Sequence, residues 1–410
     1  MKLIVCTILL FTQIASFANT IRVDASGGAN ALGQAIITAA AGDTILVAPG
    51  KYYVNGLKVT KPLTIIGAEG AVLDGSGKHE IFVLRGRNIK VSGFTFQNSG
   101  YSSVTDMAAI TIVDASHVVI EKNQFEQTYF GVHAAGSSNF VVRNNSFRGV
   151  TKTEQTSGNG IHLWKCDKAI VENNNLSGHR DGIYFEFVTN SRIIGNVSYN
   201  NIRYGLHFMF SNDDFYSHNV FRDNGAGVAV MFSNRVTMIG NEFRHNWGAA
   251  AYGLLLKEIN DSKIDSNLFL KNTIGIYMEG ANRIHVDANQ FIENGWAARV
   301  QASSSDNTFT GNNFMGNTFD VATNGSMVLN HFTGNYWDKY EGYDRNRDGV
   351  GDVPYHPVSL YSMLIEQNSN SLILLRSFMI TLLDKAERAI PSLTPVELND
   401  ASPKMKMLKL

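Results

Sequence analysis

The sequence predicts an all-β chain, a right-handed parallel β-helix with an N-terminal cap and a C-terminal helical tail. Two observations carry that expectation. Ten asparagines, at 123, 145, 174, 196, 219, 241, 267, 289, 312 and 335, recur in steps of 22, 29, 22, 23, 22, 26, 22, 23 and 23 residues, most of them opening an Asn-x-apolar unit. Self-similarity at such a period marks a solenoid. Within each unit short runs such as Val118-Val119-Ile120 and Gly131-Val132-His133-Ala134 alternate apolar and polar positions, which is strand spacing rather than helix spacing. Stacking such coils buries a continuous core that no single coil could bury.

The elements follow in chain order. Residues 1–18 read as a signal peptide, with Lys2 as the positive end, Leu3 to Phe11 apolar and Ser16-Phe17-Ala18 as a small-x-small cleavage site. Residues 19–80 read as an N-terminal cap and first strands. Ala31 to Ala40 has helical periodicity and would cover the otherwise exposed first coil. Residues 81–337 are the regular coils. A second asparagine series, Asn201, Asn224, Asn246, Asn272, Asn294 and Asn317, falls at one turn per coil, where Asn tolerates left-handed backbone and can bond its neighbours above and below. Residues 338–360 are an acidic loop region. Residues 361–410 read as a helical tail, with Leu372, Leu375, Phe378, Met379, Leu382 and Leu383 on one helical face.

Composition narrows the class. A net charge of −1 with 37 Gly and 7 Pro leaves no basic footprint for nucleic acid. Of two cysteines Cys6 lies in the signal segment, so Cys166 stands alone without an intramolecular disulfide.

Irregular steps mark a face. Phe96 to Ala109, Phe147 to Gly160 and Phe243 to Gly253 are longer than the other equivalent connections. Loops 97–108, 148–159 and 244–252 should therefore leave one edge of the solenoid, where insertions in repeat proteins commonly serve binding. The strand after that edge places Thr111, His133, His162, Tyr184 and His207 in one column, with Trp164, Glu186, Met209 and Met231 two residues further on. With apolar neighbours on either side, this column should point outward into solvent. Imidazole and thioether suit copper, thioether favouring Cu(I). His207, Met209, Met231, His133, His162 and Glu186 are thus candidate copper ligands, with His207, Met209 and Met231 as one site and the other two histidines as a second stop. The run Asp344, Asn346, Asp348 and Asp352, broken by Gly349 and Gly351, has the alternating oxygen pattern of a Ca2+ loop without the closing Glu of an EF-hand.

Fold analogy offers a secreted polysaccharide lyase, hydrolase or epimerase, with Asp181, Glu186, Asp213, Asp214, His179, Arg180 and Arg203 as its polar set. Against this, Asn212-Asp213-Asp214 reads as a solvated turn.

Several blocks resemble the NosD family of periplasmic accessory proteins for nitrous-oxide reductase maturation. They are His179 to Phe187, Arg203 to Ser211, Asp223 to Met231, Asn335-Tyr336-Trp337-Asp338, Val358 to Tyr361, and the tail around Leu374-Leu375-Arg376-Ser377 and Leu382-Leu383-Asp384. The resemblance implies a non-catalytic periplasmic protein associated with the membrane through an ABC transporter of permease and ATPase. It implies a part in copper delivery to the reductase's copper-sulfur cluster, with a copper chaperone and the reductase as partners. It also implies roles for His207, Met209 and Met231, and transporter docking for the C-terminal helix.

Overall fold

A computed structural model describes residues 18–102, 104–150, 153–248, 251–325, 329–375, 377–390 and 398–410. Nearly all of the expected signal segment lies outside them. The chain winds as a right-handed parallel β-helix. Three parallel sheets of 14, 12 and 13 strands line its sides. Each coil contributes one strand to each, and successive coils pair in parallel, as Phe125 with Phe147 and His133 with His162.

Alternation determines what fills the lumen. Phe96, Phe125 and Phe147 stack at 5.0 and 4.4 Å between ring centroids, and Phe243, Phe269, Phe291, Phe314 and Trp337 continue the column at 4.0–4.8 Å. Asn196 is the exception. Its third residue is Ser198, which donates to the Gly205 carbonyl and accepts from Asn201.

The asparagines tie coil to coil. The Oδ1 of Asn241 accepts both the backbone N–H (3.0 Å) and the side-chain amide (2.9 Å) of Asn219, whose amide also reaches the Ile193 carbonyl at 2.9 Å. This pattern runs from Asn123 to Asn335, and Asn201 begins a second ladder. Each asparagine of the first ladder thereby finds an acceptor for its backbone N–H in the next coil, as buried donors require.

The N-terminal helix α1 (Gly28–Thr38) turns Leu32, Ala35 and Ile36 into the core and covers the first coil, as expected. All three long connections join the 13-stranded to the 12-stranded sheet: between Thr95–Gln97 and Ala108–Val113, between Ser146–Arg148 and Ile161–Trp164, and between Glu242–Arg244 and Tyr252–Lys257. The insertions therefore share one edge.

The tail differs from a single amphipathic helix. α2 (Leu360–Gln367) packs Tyr361 and Ile365 on Phe319, a 3-10 turn spans Ser369–Leu374, and α3 (Phe378–Ala389) starts afresh. Ser377 accepts from Ile380 N–H and caps the new helix. Side chains at Asn368 and Ser377 compete for backbone groups and break the expected helix. Ile380 and Leu383 face α2, while Phe378, Met379 and Leu382 are exposed.

The last segment is not part of a docking helix. Residues 398–410 return to the solenoid end, where Leu398 enters the core and Asp400 accepts N–H groups from Gly334, Asn335 (backbone and side chain) and Trp337 at 3.0–3.1 Å. Removing everything after Leu360 would thus uncap the solenoid. Asp400→Ala should lower stability by about 3 kcal/mol, since four N–H groups lose their acceptor. Equilibrium denaturation checks this, and an unchanged midpoint would remove Asp400 as the ladder's stop.

A buried imidazole column as candidate metal centre

The predicted column exists in register: Thr111, His133, His162, Tyr184 and His207 are successive cross-coil partners. It points away from the lumen, but it does not meet solvent. His133, His162 and His207 are each less than a tenth exposed. The insertions are the cause, because they fold back over this sheet. Asp106 of the first comes to His133 and His162, and Glu154 of the second lies 3.6 Å from Arg203. Asn159 accepts the Asp181 N–H at 3.3 Å. Residues 103, 151 and 152 of these loops lie outside the described residues.

The column divides into two groups. His133 and His162 meet edge to face with centroids 4.8 Å apart, flanked by Phe130. Tyr184 then intervenes, 4.8 Å from His162 and stacked at 4.7 Å on His207. His207 is held between Tyr184 and Tyr204, with Nδ1 3.7 Å from Asp181 and 3.4 Å from Arg203. Arg203 grips Asp181 in a fork at 3.0 and 2.6 Å. Burial pushes the Asp181 carboxyl up, but bonds from His207 and Arg203 outweigh it and hold the group below the usual carboxylate range.

Met209 points elsewhere. Its sulfur lies 3.6 Å from the Tyr184 hydroxyl, which is also 3.2 Å from Glu186. Met231 follows in register, and all three of Glu186, Met209 and Met231 are half-buried. The expected set of His207, Met209 and Met231 is thus split between an ion-pair cluster and a thioether rim.

Four nitrogens are left over. Nδ1 of His133, both ring nitrogens of His162 and Nε2 of His207 are buried without a hydrogen-bond partner. Buried polar atoms in folded proteins are rarely left so. Burial lowers the pKa of His133, and for His162 burial and the neighbouring His133 bring it to about 3. At neutral pH His162 is therefore an uncharged imidazole, the form that binds metals. Among the described residues, Asp106, His133 and His162 form the one group of three His, Cys, Asp or Glu whose ligand atoms lie within 4.8 Å of one another. Sequence reading missed Asp106. Its signal was an acid near the end of the first insertion, just before the strand.

The chain is 31% identical over 381 residues to a probable ABC transporter binding protein NosD of Pseudomonas aeruginosa, covering 88% of each. The chain belongs to the NosD family. A NosD of Stutzerimonas stutzeri is 29% identical, over 93% of this chain and 92% of that one. The family model described as periplasmic copper-binding protein (NosD) matches residues 143–342, and a right-handed β-helix region matches residues 64–158. The catalytic unit of a GH87 α-1,3-glucanase from Streptomyces thermodiastaticus shares the fold, with a TM-score of 0.61 at 15% identity over 80% of this chain and 70% of that one.

The remaining candidates fall outside the column. Asp213 is exposed and paired with Arg235, whereas Asp214, expected in solvent, is buried and accepts from the Ser191 N–H at 2.8 Å. Both precede a strand of the 14-stranded sheet, while Asp181 opens one of the 12-stranded sheet. They do not assemble with Asp181 as an acid and base pair. In the acidic loop, Asp344 accepts from Arg347 and Gly349 N–H, Asn346 from Asp348, Asp348 from Val350 and Asp352 from Arg345. The oxygens intended for Ca2+ serve the turn, and Asp344, Asp348 and Asp352 do not converge within 4.8 Å. Cys166 is a buried turn residue whose thiol burial pushes up to about 11.

These shifts set an acid limit. His162, at about 3, and His179, which burial brings to about 4, bind fewer protons folded than unfolded below the ordinary 6.5. Their contribution to stability is then fully present above pH 6.5 and lost as pH falls toward 3–4. Asp214 acts oppositely, because burial raises it to about 8 and folding holds a proton that the unfolded chain releases above 3.8. Asp214→Asn keeps an acceptor for Ser191 and places there the residue that stands at 307 in the same column. It should raise the melting midpoint at pH 8 and leave it nearly unchanged at pH 3.5. Equal midpoints at pH 8 would sink this account of Asp214.

Proposed function

We propose that this NosD protein receives copper in the periplasm and passes it toward the copper-sulfur cluster of nitrous-oxide reductase, working on an ABC transporter with a copper chaperone as donor. Residues 1–18 would serve as its export signal. The observation that carries this reading is the column itself: imidazoles with unclaimed buried nitrogens, bordered by two thioethers on an accessible rim. Copper is the cargo here. Met209 and Met231 offer soft sulfur to Cu(I), and the Tyr184 hydroxyl beside Met209 orients one of them. Arg203 and Asp181 fix His207 rather than leave it free to swing.

Transporter association is supported by the α2–α3 hairpin. Ile373, Phe378, Met379 and Leu382 are between 52% and 88% exposed, large apolar side chains clustered in one short stretch of chain, as at interaction sites. Among the described residues no helix is long and apolar enough to cross a membrane. The hairpin would therefore seat against the permease rather than span the bilayer. Phe378→Glu with Met379→Glu should abolish co-purification with the permease and leave the melting midpoint within about a degree, because both side chains are outside the core. Retained co-purification would defeat the assignment.

Binding of Cu(I) tests the cargo. His207 is buried and stacked, so His207→Ala would damage the fold, contrary to the expectation of a solvent-facing residue. Met209→Leu and Met231→Leu conserve volume on a half-buried rim. Together they should weaken Cu(I) binding about ten- to a hundredfold in anaerobic competition with a chromophoric chelator. Wild-type affinity in the double variant would remove the thioethers from the transfer path.

A further inference from the structure

We infer that Asp106, His133 and His162 form a second metal station, one built for a divalent transition ion rather than for Cu(I). It deepens the proposed function in resting on a column that handles metal. Three observations carry it. The ligand atoms lie within 4.8 Å of one another. The imidazoles are buried yet leave Nδ1 of His133 and both nitrogens of His162 unpaired, a state that buried polar groups rarely keep. The third ligand is a carboxylate supplied by an insertion that the solenoid does not need.

Donor chemistry decides the ion. Two imidazoles and a carboxylate suit first-row dications and leave coordination positions open, whereas Cu(I) favours sulfur. The Asp106 charge offsets part of the ion's charge. A tetrahedral ion at about 2.0–2.1 Å from its ligands holds them roughly 3.4 Å apart. The group must therefore contract by up to about 1.4 Å, Asp106 by a shift of its exposed side chain and the two imidazoles by rotation about their side-chain torsions. Tyr184 separates this station from the thioethers, so the two need not share an ion.

The test uses the full mature protein and Co(II) as the probe, with Cu(II) as a second. Co(II) should bind with one equivalent and give visible ligand-field bands, and Cu(II) should show nitrogen superhyperfine structure in its electron paramagnetic resonance spectrum. Asp106→Asn, at an exposed position that leaves the fold intact, should weaken Co(II) about tenfold or more. Cu(I) affinity should stay within about twofold in that variant. His162→Gln should reduce the nitrogen pattern to that of one imidazole, with circular dichroism confirming the fold. Equal Co(II) affinity in wild type and Asp106→Asn would overturn the site. Parallel loss of Cu(I) and Co(II) in Asp106→Asn would overturn the separation into two stations. Co(II) binding that responds to Asp106, without any Cu(I) binding, would uphold this site and refute the copper-delivery reading.

Discussion

The axial asparagine ladder is the constraint on which the rest depends. A side-chain oxygen that accepts two N–H groups from the asparagine of the preceding coil fixes not only the distance between coils but their register. A slip by one residue would turn every lumen side chain outward and break the ladder at the same time. Columns are consequently reliable in this fold. A residue two places past a recurring glycine sits above its counterpart in the next coil, whatever its chemistry. The ladder also needs an end. Asp400 takes the place of an eleventh asparagine, with two acceptor oxygens and no amide hydrogen to pass onward, so the last described segment closes the solenoid end.

Regular coils make a column, and irregular connections decide its environment. Had every connection been as short as that between Phe221 and Gly227, the histidine column would be the outer face of a sheet in water. Two insertions cover it instead and bring charged groups of their own. The result is a strip with low solvent access, where the Asp181–Arg203 pair stays ionised because each supplies what the other lost on leaving water. Such a pair orients His207 but contributes little to net stability.

The fold was legible in the sequence because its signals are local and repeated. Period, alternation and the shared edge of the insertions could be read directly, as could the order of His133, His162, Tyr184 and His207. Burial of that column could not, since it depends on how loops 97–108 and 148–159 fold back, and no periodicity governs them. Asp106 was hidden for the same reason. Asp214 was misread as solvated because it belongs to a turn, although turns in this solenoid place alternate side chains against the lumen, where Asn307 and Asn330 also lie. The tail pattern was read as one helix because an apolar stripe does not show where Ser377 will restart the backbone.

Geometry also limits what kind of metal site a solenoid can build. Successive coils are about 4.8 Å apart, so one column can offer an ion two ligands from neighbouring coils, and a third coil is already too far. A closed four-ligand site would need several side chains from outside the column. In the divalent site proposed above, the column would supply His133 and His162, an insertion would supply Asp106, and coordination positions would remain open. Likewise the thioether rim offers Met209 and Met231 from adjacent coils and no third sulfur in register, since the next partner is Lys257. Closed coordination suits storage, whereas low coordination with one ligand on a mobile or exposed element suits exchange. The spacing of a β-helix thus favours sites that an incoming partner completes and then empties, which is the property the proposed delivery role would require.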